Sequence, residues 1–170
     1  VQHGAGAARH GSGSMGGTVH LHTLTPQTEP LVRAAGGGGA YGERYVSALA
    51  TGGSGAWSGL VAGRHYRTDG DFPYQNPFLV PTQTLRRTGA SARMTTLYGR
   101  GTGRGDAQKW SLAGWWSRAR RGLPGPASAR SAGARQWDRL GRVWVTGTLP
   151  LGAGTLSLSA QGQRSRLRYH

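Results

Sequence analysis

Cysteine is missing from all 170 residues, which removes disulfide frameworks, thiolate metal sites and thiol nucleophiles together. Acids are nearly missing too. Only six are present, leaving little material for paired-carboxylate catalysis. No apolar run approaches the ~18 residues that a membrane-spanning helix needs. Helical patterning is equally thin. Glycine is scattered too evenly, at a cost of ~1 kcal/mol per interior helix position, and apolar residues seldom recur at i, i+3 and i+4. No serine sits in a G-x-S-x-G elbow between a strand and a helix. These absences point away from an enzyme: no catalytic set, metal site or cofactor is expected. The chain starts at Val1 with no charged-then-apolar leader, so no signal peptide is read.

What the sequence does hold is glycine and arginine. Glycine supplies 31 residues, far above the usual ~7%. Apart from Lys109, every one of the 21 basic side chains is arginine, and the net charge is +15. A pI near 11.7 makes nucleic acid or an anionic membrane surface the first partners to weigh.

Period-2 alternation replaces the helical pattern. In "TLSLSAQGQR" (Thr155–Arg164), Leu156, Leu158, Ala160 and Gly162 share one face, and Ser157, Ser159, Gln161 and Gln163 share the other. "KWSLAGWWSR" sets Trp110, Leu112, Gly114 and Trp116 opposite Lys109, Ser111, Ala113 and Ser117. "TGASARMTTLY" sets Ala90, Ala92, Met94 and Tyr98 against Ser91, Arg93 and Thr95. Less regular strands are expected at Leu31–Gly37, Arg44–Thr51, Trp57–Arg67 and Arg139–Leu149. Apart from the first, each is about the ~9–11 residues of a tilted membrane-spanning strand.

Connection lengths alternate. Gly52–Ala56, Gly99–Ala107 and Pro150–Gly154 read as short glycine-rich turns, while Thr68–Leu85 and Arg121–Gly133 are long and carry prolines. Short turns at one end and long loops at the other are the habit of outer-membrane barrels. Trp57, Tyr98 and Trp110 fall beside the short turns; Tyr66, Trp116 and Trp137 fall toward the long loops. Tryptophans can fill a soluble β-core, but two belts at opposite strand ends are what interfacial girdles produce. Alternation, loop asymmetry and belt positions all agree on the girdle.

The N-terminal segment "VQHGAGAARHGSGSMGGTVHLHT" (Val1–Thr23) then adds a resemblance. Gly4, Gly11, Gly13, Gly16, Gly17, Val19, Leu21 and Thr23 match the pattern that closes the plug domain of TonB-dependent outer-membrane receptors. His3, Ala5, His10 and His20 depart from it. "DGDFPY" (Asp69–Tyr74) and "RGLPGP" (Arg121–Pro126) are similar to early extracellular loops of such receptors. The resemblance implies an all-β chain. Residues 1–25 would be the C-terminal end of a plug domain, and residues 26–170 the N-terminal portion of an antiparallel transmembrane β-barrel, about seven strands of a ~22-stranded whole.

The implied function is energy-coupled uptake of a scarce nutrient of the iron-siderophore, haem or cobalamin class, in the outer membrane of a Gram-negative cell. The implied partners are the inner-membrane TonB complex, the metal chelate or cobalamin ligand, and lipopolysaccharide or other outer-membrane lipid, with no nucleic acid. Arg67, Asp69, Asp71, Tyr74 and Arg121, in the external loops, are the candidate ligand-binding residues. Gly11, Gly13, Gly16 and Gly17 are plug-end positions chosen for backbone geometry. "GSGSMGG" contains G-x-G but no helix follows it, so a phosphate cradle is a weak rival.

Other groupings are bland. His20 and His22 share a strand face without a third ligand nearby, and zinc wants at least three protein ligands. Asp69 and Asp71 flank Gly70 without the remaining oxygens of a calcium loop. Strand arginines such as Arg93 are expected to face the barrel lumen, whereas either face is open to Arg64. Arg67, Arg86, Arg87, Arg120, Arg121, Arg130 and Arg135 are expected near the outer rim, holding lipid phosphates or drawing in an anionic chelate. The chief alternative is a soluble Arg/Gly-rich nucleic-acid binder, suggested by "YGRGTGRG" (Tyr98–Gly105). That segment occurs once, between two well-patterned strands.

Overall fold

The computed structural model of the chain describes residues 23–76, 80–125 and 133–170. Every regular element among them is a strand: β1 (Leu31–Gly38), β2 (Arg44–Ser54), β3 (Trp57–Thr68), β4 (Pro73–Asn76), β5 (Gln83–Arg86), β6 (Ala92–Arg104), β7 (Lys109–Gly122), β8 (Arg135–Leu151) and β9 (Gly154–Tyr169). Seven of them form one sheet in the order β1-β2-β3-β6-β7-β8-β9, each pair antiparallel; β4 and β5 pair separately as a small hairpin. The all-β antiparallel expectation holds. The sheet is open, with β1 and β9 as its two edges.

Turn chemistry explains the meander. Two residues, Gly55 and Ala56, join β2 to β3, and two more, Gly152 and Ala153, join β8 to β9. Gly55 and Gly152 both sit at φ 57°, a left-handed conformation that glycine adopts without steric cost. The segment Gly99–Ala107, expected to be a turn, is mostly strand, because β6 runs on to Arg104. Its glycines and polar residues alternate, so Gly99, Gly101 and Gly103 take one face while Arg100, Thr102 and Arg104 take the other. That is a strand pattern with glycine in the apolar places. The hairpin β4–β5 inside the long connection had no alternation to announce it.

Registers carry the alternation across all seven strands. Val32, Ala50, Val61, Gly99, Gly114, Val143 and Gly162 stand in one cross-strand row. Leu31, Thr51, Leu60, Arg100, Ala113, Trp144 and Gln161 stand in the next, on the opposite face. The described part of the N-terminal segment crosses that second face near the two-residue turns. Gln27 N–H donates to Thr51 Oγ1 at 2.9 Å, Gly53 N–H donates to the Thr28 carbonyl at 2.9 Å, and Arg100 reaches Thr23 Oγ1 at 3.4 Å. We call this the covered face and the other the open face.

There is almost no conventional core. Among the described residues only Leu60, Ala113 and Ala119 are buried hydrophobics, and all three lie on the covered face by register. A soluble sheet buries one apolar face against a second layer. Here no second layer is present among the described residues.

Candidate functional site

Each long strand changes character along its length without changing face. On β7 the open face runs Trp110, Leu112, Gly114, Trp116, then Arg118 and Arg120. On β9 it runs Leu156, Leu158, Ala160, Gly162, then Arg164, Arg166 and Arg168. On β8 it runs Leu149, Gly147, Val145, Val143 and Gly141, then Arg139 and Trp137. On β2 it runs Ala50, Ala48, Val46, then Arg44. Successive entries are two residues apart, so each series lies on one side of the pleat. The open face is an apolar field at the short-turn end and middle, and an arginine field at the long-loop end.

The apolar field is solvent-exposed in the isolated sheet: Val61 at 62%, Leu158 at 53%, Val143 at 53% and Leu97 at 51%. A broad open trough of ≈ 1020 Å³ crosses it over all seven strands, floored by Gly63, Gly99, Gly114, Gly141 and Gly162. At the turn end Trp57 and Trp110 meet edge to face, with ring centroids 4.5 Å apart. They approach across Gly103, which pairs with both. From Trp110 to Trp116, along β7, is roughly 20 Å of extended chain.

The aromatics expected in two belts divide between the two faces, with Tyr66 toward the long loops as read. Tyr98 and Tyr66 lie on the covered face, in the rows of Trp115 and Ala119, because each is an odd number of residues from the open-face Val61 and Leu97 of its own strand. Tyr98 packs 6.1 Å from Trp144 in mid-sheet, not beside a short turn. The open-face aromatics are Trp57 and Trp110 at one end, Trp116 and Trp137 toward the other.

Arg93 shares its face with Leu97 and Val61 and stands on the open face, away from the described part of the N-terminal segment. Arg64 falls on the covered face, in the row of Ser47 and Ser117, with its guanidinium 4.9 Å over the Tyr45 ring.

The five candidate ligand-binding residues all lie at the long-loop end, and they are partly occupied by one another. Arg67 and Asp69 pair at 3.3 Å, both about half exposed. Asp71 pairs with Arg86 at 3.0 Å and so anchors the base of the β4–β5 hairpin. Tyr74 lies in β4, its ring 5.8 Å from the Arg87 guanidinium. Arg121 pairs with Asp138 at 3.5 Å. Arg67, Asp69 and Arg121 come together around a small cavity of ≈ 220 Å³, also lined by Arg93, Arg120 and Arg135; Asp71 and Tyr74 do not join them. The plug-end glycines Gly11, Gly13, Gly16 and Gly17, together with His20 and His22, lie outside the described residues.

Neither a family model nor a curated protein sequence matches the chain significantly.

The feature that sequence reading missed is the arginine field as a registered array. Arg44, Arg67, Arg93 and Arg120 stand directly opposite one another on four adjacent strands. Arg118, Arg139 and Arg166 do the same on three. The sole acid within any strand is Asp138, and it lies on the covered face beside Arg121. The signal was present in the sequence as Arg118-x-Arg120 and Arg164-x-Arg166-x-Arg168, continuing the apolar parity of their strands. The cross-strand registers that line these arginines up were not.

Proposed function

We propose that this chain forms part of the wall of an outer-membrane β-barrel, and that the whole protein is a TonB-dependent receptor for energy-coupled uptake of a scarce nutrient. One observation carries the membrane reading: a seven-stranded sheet whose open face is apolar over the length of a bilayer strand and basic at one end. Water would make such a face aggregate. Hydrocarbon would solvate it, provided every backbone group is paired. The inequality of the connections supports the orientation, since two-residue turns suit the periplasmic side and long loops the external side.

The receptor class rests on the resemblance of Val1–Thr23 to a plug-domain terminus. In this reading the segment Thr23–Glu29 leads from plug to wall, and its hydrogen bonds to Thr51 and Gly53 tie it to the periplasmic end of the covered, lumenal face. The long connections and the strand ends beside them would contribute to capture of a chelate or cobalamin, with Arg67, Asp69, Asp71, Tyr74 and Arg121 as candidate contacts. An intact receptor would be driven by the TonB complex acting on the plug.

The test is an immunoblot of fractionated native cells, using an antibody against Arg121–Ala134. A band in the outer membrane, several times 17.9 kDa and shifting in mobility on boiling, is expected. A soluble band that does not shift overturns the reading.

A further inference from the structure

At the short-turn end the covered face carries a ladder of hydroxyls. Ser58, Thr102, Ser111, Thr146 and Ser159 stand opposite one another on five adjacent strands, β3, β6, β7, β8 and β9. They lie two residues from the row of Arg100 and Trp144, so all five share its face. Neighbouring rungs are one strand spacing apart, ~4.8 Å. The next row toward the turns holds Arg104, Lys109, Thr148 and Ser157. A polar groove of ≈ 1010 Å³ runs over this surface and is bounded also by residues 25–29. Ser58 and Thr102 bond each other at 2.7 Å, and Ser111 accepts from Arg100 Nε at 3.1 Å. Thr146, Ser157 and Ser159 are exposed and accessible to a ligand.

The lining selects a chemistry. A hydroxyl both donates and accepts, so a row of them suits a polymer that does the same. Sugars do; a phosphate backbone only accepts. A water-filled lumen requires polarity of any kind, and five short hydroxyls in one row are a narrower choice. Charge in the groove is sparse and mixed, with Arg100, Arg104 and Lys109 against Glu29 and Asp106. None of the five forms an ion pair among the described residues. A densely charged polyanion would meet the two carboxylates. A glycan with a carboxylate on every second sugar would meet the cations at intervals. Trp144 is half-buried in the row beside the ladder and offers an apolar ring surface to the C–H face of a sugar.

We propose that this groove binds a carboxylate-bearing glycan strand laid across the strands of the sheet. Its hydroxyl and amide groups bond the ladder, and its carboxylates reach Arg104 and Lys109. In the membrane reading above the short-turn end faces the periplasm, where the polymer of that chemistry is the glycan of the cell wall. Only that choice of polymer rests on the membrane reading; the groove itself follows from register.

The full chain is held in detergent micelles, which cover the open face and leave the groove accessible, and is titrated calorimetrically. The probes are peptide-free strands of alternating N-acetylglucosamine and N-acetylmuramic acid, and neutral N-acetylglucosamine oligomers of equal length. Tighter binding of the carboxylated strands is expected. Arg104→Gln combined with Lys109→Gln should abolish that preference. Thr146→Val removes an exposed rung and should weaken both probes about fivefold. Arg166→Gln, on the open face, should change neither. Absence of binding overturns the proposal, as does equal binding of the two glycans by the unaltered chain. An unchanged affinity in Thr146→Val overturns it too, because the ladder would then not be the contact. So does equal competition by a single-stranded oligonucleotide, which would make the groove a general polyanion site. A soluble band in the cell fractionation, with glycan binding intact, overturns the membrane reading alone.

Discussion

At the scale of single residues, Gly103 and Thr51 show how much the sheet asks of small side chains. A Cβ on Gly103 would intrude on the Trp110 ring, so the Trp57–Trp110 contact exists because β6, the strand between them, carries no side chain at that place. Gly103→Ala should force the rings apart and lower stability by about 1–3 kcal/mol, the usual range for overpacking. A fall in the urea midpoint with a changed tryptophan emission would show it; an unchanged midpoint would mean the pair is not held over the glycine. Thr51 is buried at 9% exposure. Its hydroxyl accepts from Gln27 N–H and donates to the Gly59 carbonyl at 2.9 Å. Thr51→Val keeps the shape and removes both bonds, which should cost about 1–3 kcal/mol. Amide exchange at Gln27 should accelerate while the β8–β9 strands stay protected. Uniform acceleration would mean that Thr51 supports the sheet as a whole and not the N-terminal segment.

At the scale of elements, the question is whether each strand really has a lipid side. On β9, Leu158 belongs to the open face and Ser157 to the covered one. Leu158→Arg should lower stability in a bilayer by ~2–4 kcal/mol if its depth is near the midplane, whereas Ser157→Arg should be tolerated. Urea titration of the chain refolded into phosphatidylcholine vesicles measures both. Equal penalties would remove the face assignment. The strands were legible as elements because alternation in "TLSLSAQGQR" and "KWSLAGWWSR" is strong, and their apolar faces were read correctly. Their lengths were not: β8 and β9 reach 17 and 16 residues. Alternation between apolar and polar fades where the open face turns to arginine, since both faces then read as polar.

At the scale of the whole molecule, the sheet combines an exposed apolar face with two open edges. Among the described residues, β1 and β9 each lack a strand partner on one side. In hydrocarbon unpaired backbone groups cost several kcal/mol each. The sheet alone should therefore insert poorly and reversibly, while completion by further strands should make insertion stable. Pulse proteolysis in vesicles checks this: β1 and β9 should be cut first and β6–β7 last. Simultaneous cutting of all strands would mean the sheet is one cooperative unit without vulnerable edges. The small cavity around Arg67, Asp69 and Arg121 exists only at this scale, because the β3 and β7 ends that build it are far apart in the chain and meet through β6.

Composition and period by themselves determined the all-β class, the seven-strand meander and the choice of apolar face on β7 and β9, because a period of two is a local property of extended chain. Local chemistry likewise placed glycine at the Gly55 and Gly152 turns. Tertiary structure decided which arginines stand side by side, that Arg93 joins them on the open face, and that Tyr98 and Tyr66 stand on the covered face. These are facts of register. Register is set by pairing between distant segments, and a shift of one residue would have put every one of those side chains on the other face.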